Sequence, residues 1–216
     1  MKRIWKYRDS SSRLELQKLR SPAVLALALS GLIFSGCTGS VAAVTSPLGQ
    51  PSLTSKSPIQ EKMVIETGKM DGKPGWPRFA PSDLTFPAGS EVVLTIVSYD
   101  DGTAPLPPSS PYGQVWGTDP TYGLVSGGTE TIDGKPISGV SNTEISHTVT
   151  IPKLLINIPI PAVPAGQKTV TVQFRFRINK AGKYTWICVA PCGSGATGMA
   201  GAMESDGWMR GVINVT

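Results

Sequence analysis

Two cysteines stand four residues apart in the stretch 184-YTWICVAPCGSGATGM-199, and the chain's single histidine, His147, lies upstream in 145-ISHTVTI-151. Sulfur and imidazole nitrogen together form a donor set for a soft or borderline transition metal, and a thioether completes such a set as a weak ligand. Three methionines follow the cysteines: Met199, Met203 and Met209. Cys188 and Cys192 also fit a short disulfide, provided their Cα atoms approach within about 7 Å. A redox dithiol of the Cys-x-x-Cys kind fits poorly, because the spacing is one residue too long and no helical pattern follows. Metal centre and disulfide are therefore the two readings that the cysteines leave open. For His147 the competing reading is a strand histidine satisfied by a core hydrogen bond.

The elements that must position these residues are strands. In 169-TVTVQFRFRI-178 the residues Val170, Val172, Phe174, Phe176 and Ile178 share one face, and Thr, Gln and Arg share the other, which is the period-two signature of a half-buried strand. The segment 91-EVVLTIVS-98 is apolar on both faces, as expected of a strand covered on both sides. Further strands are expected at 62–68, 145–151, 183–189 and 209–215. Gly and Pro interrupt the remainder too often for a long helix. Short strands joined by turn-rich connections predict an all-β sandwich or small barrel over residues 61–216, with 101–142 as a loop insertion that has room for a hairpin.

Two stretches together carry a family resemblance. One is Ser146-His147-Thr148-Val149-Thr150-Ile151-Pro152, a strand histidine before an Ile-Pro turn. The other is Tyr184-x-Trp186-x-Cys188-x-x-x-Cys192-Gly193 with Met199 beyond it, then the closing strand from Met209. In that order they resemble a cupredoxin domain, most closely the copper-binding domain of cytochrome c oxidase subunit II. The resemblance implies a cupredoxin-like Greek-key β-sandwich and a copper site. His147 would be the strand ligand, Cys188 and Cys192 the thiolates, Met199 the weak ligand with Met209 as the alternative, and Ala190 the backbone carbonyl donor. Ala196 stands where that family has its second histidine. The chain has one histidine, so a mononuclear copper centre is expected rather than a binuclear one.

The formal charge of +5 belongs to one end of the chain. Residues 1–20 hold Lys2, Arg3, Lys6, Arg8, Arg13, Lys18 and Arg20 against Asp9 and Glu15, whereas the part from residue 61 onward is near neutral. No basic face is thus left to argue for nucleic acid. The apolar run 22-PAVLALALSGLIFSG-36 reads as the core of a secretory signal. Its end at Cys37 resembles a bacterial lipobox, which implies lipidation of Cys37 and a membrane anchor; an uncleaved signal anchor and a plain signal peptide with an incidental Cys37 are the alternatives. Residues 1–36 are then the signal and 37–60 a Ser/Thr/Pro-rich tether. An exported domain meets an oxidising compartment.

Hydrolysis is disfavoured because Ser146 and His147 are strand neighbours that point to opposite faces. Asp100-Asp101-Gly102 reads as a turn rather than a carboxylate pair. The expected protein is an extracytoplasmic, membrane-tethered copper protein that transfers single electrons. A redox protein or an oxidase complex would be its partner. The alternatives are a metal-free interaction domain closed by a Cys188–Cys192 disulfide, and a Cu(I) carrier.

Overall fold

The structure, a computed structural model, describes residues 57–117 and 125–216. The signal segment, Cys37 and nearly all of the tether lie outside the described residues. Eleven strands form two sheets. The six-stranded sheet has the order β2-β1-β4-β9-β5-β6, from β1 (Ile59–Glu66), β2 (Arg78–Ala80), β4 (Glu91–Ser98), β5 (Val125–Ile132), β6 (Lys135–Ile137) and β9 (Val170–Ile178). The five-stranded sheet has the order β3-β11-β10-β7-β8, from β3 (Leu84–Phe86), β7 (Ile145–Ile151), β8 (Ile156–Pro161), β10 (Gly182–Ile187) and β11 (Arg210–Val215). β1 runs parallel to β4, and β3 parallel to β11. Every other pairing is antiparallel.

The all-β expectation holds, and the period-two segments become the strands they predict. On β9 the five apolar residues are buried and the intervening positions are exposed or half-buried, while β4 sits between β1 and β9 and buries Val92, Val93, Leu94 and Ile96. Both sheets feed one hydrophobic core, in which Phe79, Phe174, Phe176 and Trp186 are among the largest buried side chains. Burying each such side chain is worth about 1.5–3 kcal/mol before entropy is counted.

Two boundaries differ from the expectation. β1 begins at Ile59, within the stretch read as tether. The segment 101–142 contributes β5 and β6, and β5 pairs along β9 as a full member of the six-stranded sheet. Its Ser126-Gly-Gly-Thr129 run hides the strand period, and a register shift falls at that place. No helix among the described residues is long and apolar enough to cross a membrane.

Candidate metal centre

β7 is buried at all seven positions. A register shift between Ile145 and His147, against Pro161 and Ile160 of β8, places one extra residue on β7 immediately before the histidine. Such a bulge re-aims the side chains that follow it. On its other side β7 pairs with β10 only at Thr150 and Ile187. Beyond that point the two strands part. The Thr148 N–H donates to Cys188 Sγ at 3.3 Å, and the Val189 N–H donates to Thr148 Oγ1 at 2.9 Å. The backbone groups that would have continued the ladder thus hold the cysteine loop against the histidine strand.

One ring nitrogen of His147 and the sulfurs of Cys188 and Cys192 lie within 4.8 Å of one another. The two sulfurs are 3.5 Å apart, and both cysteines are free. His147 and Cys188 are buried and Cys192 is half-buried. His147 Nε2 meets Asp100 Oδ2 at 3.0 Å, while Nδ1 is buried without a hydrogen-bond partner. The other Asp100 oxygen accepts the Gly102 N–H at 2.9 Å. Both carboxylate oxygens are therefore engaged, and the ring is fixed with Nδ1 as the nitrogen free for a ligand. The ring also stands edge-on to Phe79, with centroids 5.9 Å apart.

The charges are arranged as an ion pair. Burial alone would lower the His147 pKa, but the Asp100 bond and the Cys188 sulfur outweigh it and raise it to about 9. Burial also opposes ionisation of Asp100, yet the His147 bond and charge and the Gly102 N–H hold its carboxyl below the usual range. For Cys188, burial is overcome by the Cys192 thiol, His147 and the Thr148 N–H, so its pKa falls well below that of an ordinary thiol. The Cys188 sulfur and then burial push the Cys192 thiol upward, so that this sulfur keeps the shared proton. A thiolate faces an imidazolium in the metal-free site, and a metal cation would displace both protons.

The loop after Cys192 brings one methionine sulfur to the cysteines. Residues 194–200 fold into a small turn closed by paired bonds between Ser194 and Ala200. Ala196 is exposed within that turn, and Met199 is 43% exposed. The chain then returns through a short 3-10 turn, Gly201–Glu204, which buries Met203 and sets its Sδ 3.3 Å from Cys192 Sγ. Gly193 makes this approach possible, because a Cβ there would come within 2.6 Å of Met203 Cγ and 2.3 Å of the Ala200 oxygen. Met209 is buried, and its backbone carbonyl accepts the Cys188 N–H at 2.9 Å. The Ala190 carbonyl lies 3.7 Å from Cys188 Sγ but already accepts the Cys192 N–H at 2.8 Å. Of the residues singled out in the sequence, the structure brings His147, Cys188 and Cys192 together, and the Met203 thioether lies against Cys192.

No family model and no curated protein matches this sequence. Among solved structures, the chain is similar to a multi-copper oxidase from Pediococcus acidilactici, at 12% identity over 79% of this chain and with a TM-score of 0.39. It spans only 29% of that protein's length. It is also similar to rusticyanin from Thiobacillus ferrooxidans, at 15% identity over 74% of this chain and 79% of that one, with a TM-score of 0.34. With likenesses this distant, the chemistry of the site rests on its own residues.

Two of those residues carry little signal in the sequence. Asp100 sits in a turn-forming Asp-Asp-Gly run, and the 2.9 Å bond to Gly102 is the expected turn contact. Its second oxygen reaches a histidine 47 residues away, a pairing that no local pattern encodes. Met203 shares its loop with Met199, and only the fold of 194–204 selects between them.

Proposed function

We propose that the protein is a cupredoxin-like copper protein with a mononuclear site formed by His147, Cys188, Cys192 and Met203, serving one-electron transfer. The observation that carries this reading is the buried cluster of a His147 ring nitrogen with two cysteine sulfurs, together with a His147 Nδ1 that has no hydrogen-bond partner. A buried polar atom without a partner costs about 1–3 kcal/mol, and a metal bond at Nδ1 removes that cost. Cysteine and histidine alone would also suit zinc, but a thioether as the fourth donor favours copper. Copper held there would supply a one-electron couple. Around it, Asp100 orients the imidazole, the Thr148 N–H stabilises negative charge on Cys188, and the core excludes water from His147. Donors fixed by two strands and a closed loop move little when charge changes, which suits electron transfer.

The same proposal places the domain outside the cell membrane, tethered through Cys37 or an uncleaved signal anchor, with a redox protein or oxidase complex as its partner. A second reading, a Cu(I) carrier, is favoured by one specific feature: three sulfur donors against one nitrogen suit the softer ion.

The test uses the full chain in detergent micelles, loaded separately with Cu(II) and Cu(I). Electron transfer predicts an intense thiolate-to-copper absorption that disappears in Cys188→Ser and His147→Ala. It shifts in Met203→Leu and is unchanged in Met199→Leu. Tight Cu(I) binding without a coloured Cu(II) form selects the carrier. A protein that binds no copper, and whose two thiols appear only after reduction, is the disulfide-closed domain instead.

A further inference from the structure

A cavity of about 230 Å³ opens beside the centre. Its walls include Thr67, Lys69 and Pro77 from the segment after β1, Asp100 and Asp101, and Cys192. Asp100 holds the histidine and Cys192 is one of the two sulfurs, so the cavity meets the centre at both. Cys188 does not line it and is 3% exposed. The two thiols thus differ in access: one faces a solvent-connected cavity and the other lies behind it. Large apolar side chains are exposed at four positions among the described residues, and three of these flank the cavity in the chain. Met70 follows Lys69, and Tyr99 precedes Asp100. Met199 follows Gly198, whose carbonyl accepts the N–H of Gly193 next to Cys192.

We propose that this cavity is the port through which thiolate-bound Cu(I) is handed to the centre, with Cys192 the first residue to take it; this rests on the copper reading above. The step is a ligand exchange in which copper stays Cu(I). The Cys192 sulfur forms a bond to the incoming copper, one thiolate of the donor complex is released, and it leaves with the proton from the Cys192 thiol. A second exchange, at Cys188, releases the other donor thiolate, which leaves with the proton that the Cys188–His147 pair held, as the imidazole becomes a ligand. No oxidant or reductant is consumed. Lys69 is exposed at the cavity wall and offers a cation to an anionic bis-thiolate complex, against the opposing charge of Asp101 on the same wall. The cavity has room for a thiolate arm and not for a folded element, so the donor is a small thiol or a protruding cysteine.

The experiment follows copper transfer to the full chain by native mass spectrometry, from Cu(I)–glutathione and from a Cu(I)-loaded peptide bearing two cysteines. The variants are Thr67→Trp, which fills the cavity, and Lys69→Glu, which reverses its charge; neither residue belongs to the donor set. Both are expected to keep full copper occupancy at equilibrium. Lys69→Glu slows transfer about three- to tenfold at low ionic strength, and the difference shrinks as salt is raised. Thr67→Trp slows it at every salt concentration. The faster probe identifies the donor as a free thiol or a protein cysteine. Equal rates in wild type and both variants overturn the port while leaving the copper site intact. A wild-type chain that takes up no copper from either probe removes the copper reading itself.

Discussion

Strands β7 and β9 come from opposite sheets and use burial in opposite ways. β9 alternates: its apolar residues enter the core, and Gln173, Arg175 and Arg177 face solvent. β7 has no solvated face, and four of its seven residues are polar yet buried: Ser146, His147, Thr148 and Thr150. Three of these are tied to other segments. His147 meets Asp100; Thr148 holds Val189 and Cys188; Thr150 donates to Asn157 Oδ1, and Asn157 in turn donates to the Tyr112 and Gln114 carbonyls. Burying polar groups costs stability unless each finds a partner. β9 is thus a strand organised for the core, and β7 a strand organised around a site. The difference between them separates framework from function within one domain.

Glu130 is where that comparison can be broken most forcefully. It lies on β5 opposite Phe174 of β9, is 2% exposed, and has no hydrogen-bond partner for either carboxyl oxygen among the described residues. Burial raises its pKa from 4.5 to about 9. A carboxyl with a raised folded-state pKa stabilises the fold fully below the unfolded value, and that contribution is lost as pH rises toward the folded value. Stability should therefore fall from pH 4.5 toward about 9, at up to about 1.4 kcal/mol per pH unit. In Glu130→Gln this fall should be absent, and the difference between the two proteins cancels whatever His147 contributes above pH 6.5. Urea unfolding across a pH series reads it directly. Parallel pH profiles for the two proteins would mean that the framework sheet, like β7, pairs its buried charge.

How far the sequence leads follows the same division. β9 and β4 are legible because burial on a regular strand writes a period of two into the residue types. β5 is not, since its glycines carry no hydropathy signal and its register shifts there. At the site, His147, Cys188 and Cys192 announce themselves by residue type. Asp100 and Met203 do not, because each becomes a partner only through a contact the tertiary fold creates. Ala196 lies exposed in the 194–200 turn, apart from the buried His147 and Cys188.

Thr148→Val sharpens the contrast at intermediate size. The change keeps the volume of the side chain but deletes the oxygen that accepts the Val189 N–H and pairs with Thr150 Oγ1 at 3.0 Å. Leaving that half-buried N–H unpaired should cost about 1 kcal/mol. Its effect should also reach the centre, because Val189 adjoins Cys188: copper absorption should broaden or shift even where the protein is fully folded. A stability loss with an unchanged spectrum would show that β7 supports the loop without tuning it.

The smallest effect should come from Arg175→Ala on β9. Arg175 pairs with Glu91 across β4 and β9, and the two side chains are 51% and 30% exposed. Solvent screens such a pair and both long side chains lose freedom in forming it, so its contribution is about 0–1 kcal/mol. The substitution should shift the urea midpoint slightly, less so in high salt, and leave copper binding and its spectrum untouched. Thr148 and Arg175 are each a single polar residue on a strand, and the burial of their partners sets them apart. If Arg175→Ala matched Thr148→Val in stability loss, the solvated face of β9 would contribute as much to the fold as the buried polar groups of β7, and the division between the two strands would fail.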